Sequence, residues 1–203
     1  MTPASDRPGV CLFCGASEAL PASARAMARD FGSACAAEGW RLVYGGGSRG
    51  LMGEAARAAS AAGGAVLGVI PAALRRIEQD HQGLGAHTVL EVVDTLAERK
   101  ARMAAAAHAF ITLPGGVGTL DELFEMITWN DLSIHDKPIV LCHDDGFWDP
   151  LLQWLERARS AGAIRPIATR RLHVAQSLPE ALQLLRQALA EDVKKTNKNN
   201  NLP

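Results

Sequence analysis

Arg41-Leu-Val-Tyr44 runs directly into Gly45-Gly-Gly-Ser-Arg-Gly-Leu-Met-Gly53, after which an alanine-rich helical stretch continues to residue 62. A short apolar run, a glycine turn and a helix make the repeating unit of an α/β fold. The unit recurs at 109–113, where Pro114-Gly-Gly-Val-Gly-Thr-Leu-Asp-Glu122 leads into a helical stretch at 120–132. Outward from these two, the runs 10–14, 65–70, 138–142 and 172–175 read as strands, and 22–38, 95–108, 147–160 and 179–190 as helices. Strands and helices that alternate along the chain predict a parallel sheet with helices on both faces. The runs are apolar almost throughout, as strands buried on both sides should be. Right-handed crossovers then favour an α/β fold with a Rossmann-like, doubly wound sheet. Only 71–94, with Gly83 and Gly85, is less regular, reading as a helix fragment and a loop or short strand at 88–92.

The 203 residues, 48% of them hydrophobic, suit one domain over 1–193. The polar, low-complexity 194–203 reads as a disordered tail. Twenty-one Lys and Arg against 22 Asp and Glu leave a net charge of -1, which argues against a nucleic-acid partner needing a basic face. No apolar run reaches the ~18–20 residues of a membrane span, and residues 1–8 lack the apolar core of a signal peptide. A cytoplasmic location is therefore expected. Cys11 and Cys14 form a lone C-x-x-C on a strand, where odd spacing sends the side chains to opposite faces. They read as small buried hydrophobes, with redox or metal chemistry as the alternative. His135, Asp136, His143 and Asp144 flank the run 138–142 at spacings that fit no common metal site, and neither a metal nor a cofactor is expected.

In doubly wound sheets the ligand lies beyond the carboxyl ends of the strands. Glycines there let the backbone approach a ligand, and the helix that follows offers unpaired N–H groups to an anion. A phosphate is the natural guest, with Gly46 and Gly47 of the first loop among its candidate contacts. Gly45-x-Gly47-x-x-Gly50 matches the dinucleotide fingerprint, but no acidic residue ends the next strand to grip a ribose. Neither loop continues into the Gly-Lys-Ser/Thr of a P-loop. The third element is Glu98-Arg-Lys-Ala-Arg102, whose cations near a helix start oppose the macrodipole. They form either a solvated face paired with Glu98 and Asp94 or a cradle for an anion. Thr119-Leu-Asp-Glu122 also has the form of a capping box.

Together, Tyr44–Gly53, Glu98–Arg102 and Pro114–Glu122 resemble the Lonely Guy family of cytokinin riboside 5′-monophosphate phosphoribohydrolases, whose members are often mislabelled lysine decarboxylases. The likeness runs from about Val10 to Leu155 and includes Val69-Ile-Pro71, Thr128-Trp129 and Ile134-His-Asp-Lys-Pro138. The resemblance implies a Rossmann-like homodimer that cleaves a nucleoside 5′-monophosphate into free base and ribose 5-phosphate. It makes Arg99 and Glu122 the catalytic pair and sets Lys100 beside the substrate. The turn Gly115, Gly116, Val117, Gly118 and Thr119 would surround phosphate and ribose, with Glu78 and Thr128 as further contacts. Where the family often has Met-His, Tyr and Asp, this chain has Leu96-Ala97, Val117 and His108, of which Ala97 and Val117 bear on which base fits.

Breaking the C1′–N bond builds positive charge on the ribose, which a carboxylate such as Glu122 can stabilise or relieve by activating water. A non-catalytic nucleotide carrier and a phosphoribohydrolase of ordinary purine or pyrimidine monophosphates are the competing readings. A pyridoxal decarboxylase is disfavoured, because Lys137 precedes its strand, at the edge away from the ligand. Leu120, Leu123, Phe124 and Ile127, with Met126, Trp129 and Leu132 beside them, make an apolar stripe wide enough to suggest a homodimer as well as a core.

Overall fold

The computed structural model describes residues 7–75, 84–143 and 145–199. Its elements alternate throughout: β1 (Gly9–Phe13), α1 (Ala22–Ala37), β2 (Arg41–Tyr44), α2 (Gly50–Ala61), β3 (Ala65–Pro71), α3 (Ala72–Arg75) and β4 (Thr88–Val93) come first. They are followed by α4 (Leu96–Ala106), β5 (Ala109–Thr112), α5 (Val117–Asp131), β6 (Ile139–Cys142), α6 (Asp149–Ser160), β7 (Leu172–Ala175) and α7 (Leu178–Asn199). The strands form one sheet in the order β4-β3-β2-β1-β5-β6-β7, every neighbouring pair parallel. The chain thus winds outward from β1 to β4, then crosses back to lay β5 on the other side of β1. That reversal is the point where doubly wound sheets open a crevice for a ligand. Leu12 is level with Tyr44 on one side and Ile111 on the other, so the loops after β1, β2 and β5 leave the sheet together.

Each face of the sheet carries its own core. Val10, Leu12, Leu42, Tyr44 and Ile111 point toward α1, α2 and α7, where they meet Phe31, Leu51, Ala55 and Leu185. Cys11, Phe13, Val43, Phe110 and Leu141 point the other way, onto Met103, Leu123, Met126 and Trp148. Cys11 and Cys14 therefore lie in opposite cores, and all four cysteines are free and buried. Among the described residues no helix is long and apolar enough to cross a membrane.

Three boundaries differ from the sequence reading. The irregular 88–92 is the full edge strand β4, where Val89 and Val92 are exposed and only Val93 is buried. Helix α5 starts at Val117, not 120, with Gly116 as its N-cap and no side-chain cap. Thr119 and Glu122 thus lie inside the helix, and the expected capping box there does not form. Helix α7 passes the expected end at 190 and reaches Asn199, into the stretch read as a tail.

Candidate active site

A cavity of about 530 Å³ opens at the reversal between β1 and β5. Five stretches line it: Cys14, Gly15, Ala16, Ser17 and Leu20 after β1; Gly45, Gly47 and Met52 after β2; Ile70 and Leu74 at the end of β3; Leu96, Arg99 and Lys100 on α4; and Gly115, Gly116, Gly118, Thr119, Asp121 and Glu122 from the β5–α5 turn. Gly15 joins the two glycine loops through its backbone. Its N–H donates to the Pro114 carbonyl at 3.0 Å, and its carbonyl accepts from Leu51 N–H at 2.9 Å.

Helix α5, at the cavity, begins with neither a side-chain cap nor an acidic residue in its first turn. Its first N–H groups and the positive end of its dipole are therefore left for an anion. Leu20, Met52, Ile70, Leu74 and Leu96 are the apolar part of the lining, with Leu74 and Leu96 partly open to solvent.

The charged side chains complete the lining. Helix α4 is capped by Thr95, whose hydroxyl accepts from Glu98 N–H at 3.0 Å, while the Glu98 carboxylate accepts from Asp94 N–H at 3.0 Å. Glu98 therefore closes the helix start and does not neutralise the cations beside it. Arg102 points to β4, where it pairs with Glu91 at 2.7 Å. Arg99 and Lys100 turn into the cavity instead. An Arg99 terminal nitrogen lies 3.4 Å from Glu122 Oε1, while its Nε is buried with no hydrogen-bond partner. Gly45 makes room for this guanidinium, since a Cβ there would overlap it. Lys100 Nζ lies 3.0 Å from Asp121 and 3.1 Å from Glu125. Burial alone would lower the Lys100 pKa, but its hydrogen bonds to Asp121 and Glu125 outweigh that, and the ammonium titrates above its ordinary range.

Glu122, on α5, is buried, and burial pushes its carboxyl up to about 7; Arg99 pulls it back down, and Asp121 adds to the rise. A carboxyl that titrates near neutrality can exchange a proton at working pH, as a general base or acid must.

Of the residues expected from sequence, Gly47, Arg99, Lys100, Gly115, Gly116, Gly118, Thr119 and Glu122 line the cavity. Gly46 does not; it is buried at φ +73°, facing Val69 and Ile70, and shapes the turn. Val117 is 87% exposed on the first turn of α5, and Thr128 is exposed with its hydroxyl donating to the Phe124 carbonyl. Glu78 lies outside the described residues. The apolar part of the lining was not foreseen, because Leu20, Leu74 and Leu96 carry no signal that separates a ligand contact from ordinary packing. Among the described residues no three His, Cys, Asp or Glu side chains converge as metal ligands.

A family model described as "Possible lysine decarboxylase" matches residues 52–185. A cytokinin riboside 5′-monophosphate phosphoribohydrolase of Rhodococcoides fascians is 43% identical over 178 residues, covering 87% of this chain and 88% of that protein. A probable enzyme of the same name from Arabidopsis thaliana is 45% identical over 175 residues, covering 86% and 84%. In fold, the chain is similar to the molybdenum cofactor carrier protein of Chlamydomonas reinhardtii, with a TM-score of 0.66 at 23% identity over 91% of this chain and 99% of that one. Matched by that family model and by these relatives along most of its length, the chain belongs to the Lonely Guy family of cytokinin riboside 5′-monophosphate phosphoribohydrolases.

Proposed function

We propose that the chain hydrolyses the N-glycosidic bond of a nucleoside 5′-monophosphate, releasing free base and ribose 5-phosphate. The observation that carries this reading is the buried Glu122 carboxylate, 3.4 Å from Arg99, in one cavity with the open start of α5 and an apolar lining. The phosphate would sit at the start of α5, against Gly115, Gly116, Gly118 and Thr119, with Gly47 from the other loop. The base would lie on Leu20, Met52, Ile70, Leu74 and Leu96, which suits an adenine with an apolar substituent. The ribose then falls beside Glu122. As the C1′–N bond breaks, the carboxylate faces the positive charge developing on the sugar and takes a proton from the attacking water. Water oxygen joins C1′, and the base leaves carrying a proton. Arg99 holds Glu122 in place and turns the remaining guanidinium donors to the ligand.

The name of the matching family model suggests a decarboxylase, which in pyridoxal chemistry needs a lysine that can become a neutral amine. These residues do not fit that cofactor. Lys100 is kept charged between two carboxylates, and Lys137 donates to the Ala104 carbonyl at 2.7 Å, at the amino end of β6.

We further propose a homodimer, supported by the apolar surface that the core leaves uncovered. Leu123, Met126 and Ile127 of the expected stripe are core residues, but Val117, Leu132, Ile134 and Trp154 are exposed, with Trp154 edge-on to Phe124 at 5.6 Å. The four free thiols fit a reducing compartment, in keeping with a cytoplasmic enzyme. The test of the reaction is incubation with AMP and with isopentenyl-AMP, followed by chromatography for free base. Release from either substrate, faster with the isopentenyl compound, is expected; binding of both without release of base would make the protein a carrier.

A further inference from the structure

Lys100 faces two carboxylates with a single ammonium, and the two are not equivalent. Asp121 and Glu125 lie four residues apart on α5 and so stack on one face of the helix. Asp121 lines the cavity with its side chain 60% exposed. Glu125 stands outside the lining, 27% exposed, with the oxygen that meets Lys100 shielded from solvent. An ammonium neutralised twice over is a weak ligand for a phosphate. For Lys100 to engage an incoming anion, one carboxylate has to let go. Releasing Glu125 would leave a charge stranded away from water, whereas Asp121 can turn outward and be hydrated at little cost.

We propose that Asp121 stands in for the substrate's anionic group: it neutralises Lys100 in the empty site and yields the ammonium when the nucleotide enters, while Glu125 is a positioning residue that holds Lys100 throughout. The inference rests on the reading of this cavity as a nucleoside monophosphate site and adds to it a built-in competitor. The exchange runs in both directions. Asp121 weakens binding, and it returns to Lys100 as ribose 5-phosphate departs, which speeds release. The other charged groups at this point, Arg99 on α4 and Glu122 on α5, pair with each other and not with Lys100, Asp121 or Glu125.

The test is calorimetric titration of ribose 5-phosphate into wild type, Asp121→Asn and Glu125→Gln, with AMP hydrolysis measured on the same three proteins. Asp121→Asn is expected to bind ribose 5-phosphate about twofold to tenfold more tightly, with a lower KM for AMP. Glu125→Gln is expected to bind it more weakly by a similar factor. Weaker or unchanged binding by Asp121→Asn overturns the exchange, and tighter binding by Glu125→Gln overturns the positioning role. If Glu125→Gln does not fold, the sign of the Asp121→Asn effect decides alone, since that side chain is exposed and keeps its size. Wild type that neither binds ribose 5-phosphate nor hydrolyses AMP overturns the functional reading, and this inference with it.

Discussion

Glu122 places two demands on one side chain, and they can be measured separately. Its carboxyl titrates at about 7 in the folded protein against an ordinary 4.5. The folded state therefore binds its proton more tightly than the unfolded chain, and this stabilising contribution is lost as pH rises from 4.5 through 7. We expect the Tm of Glu122→Gln to change less between pH 5 and pH 8 than that of wild type, because glutamine has no proton to lose. The same variant should release base at least about a hundredfold more slowly, since it is no base and carries no charge to face the sugar. In wild type, kcat/KM should rise with pH through an acid limb near 7. Arg99→Ala should move any residual limb upward by removing the charge that favours the carboxylate. Gly45→Ala tests the same pair from the opposite side. Its methyl would displace the Arg99 guanidinium, so turnover should fall about as far as in Arg99→Ala while circular dichroism stays that of wild type. Sequence singled out Arg99 because its charge opposes a helix dipole and Glu122 because it follows a glycine turn, and the family resemblance made them a pair. That they meet was not legible. Nothing in the 22 residues between them encodes the angle at which α4 and α5 approach, which is set by packing on the sheet.

Helices α4 and α5 each begin near a Thr-x-x-Glu, and only one of the two is a cap. At Thr95 the chain enters α4 from extended backbone, so the hydroxyl reaches Glu98 N–H. At Thr119 the helix is already under way, because Gly116 turns the chain early enough for Val117 to be helical. Sequence gives the motif, but the first helical residue decides its meaning. Thr95→Ala should cost about 1 kcal/mol, seen as a Tm lower by about 2–4 °C for a chain of this size. Strand β4 was obscured for a related reason. As the edge of the sheet it is exposed or half-buried at every residue but Val93, whereas an apolar run marks a strand covered on both sides.

At the scale of the molecule, the repeating alternation of apolar runs and helices foretold the class of the sheet, and the chain's glycines pointed to the edge where the cavity opens. The apolar stripe on α5 was less readable, since helical spacing alone cannot divide core from interface. Leu123 and Met126 went to one, and Phe124 remains at the surface beside Trp154. Light scattering at micromolar concentration should give the mass of two chains, and Trp154→Glu should move it toward one. A last consequence follows from where β1 meets β5. Arg99 belongs to the part of the chain that builds β1 to β4 and Glu122 to the part that follows β5, so a nucleotide bound as proposed would be gripped by both. Such a ligand works as a rivet across a joint. At a hundred times its Kd it adds about 2.7 kcal/mol to the folded state, so the melting temperature should climb with the logarithm of ribose 5-phosphate concentration. In a cell short of nucleotide such an enzyme would stand in its most perishable form, and substrate supply would help set how long each copy survives.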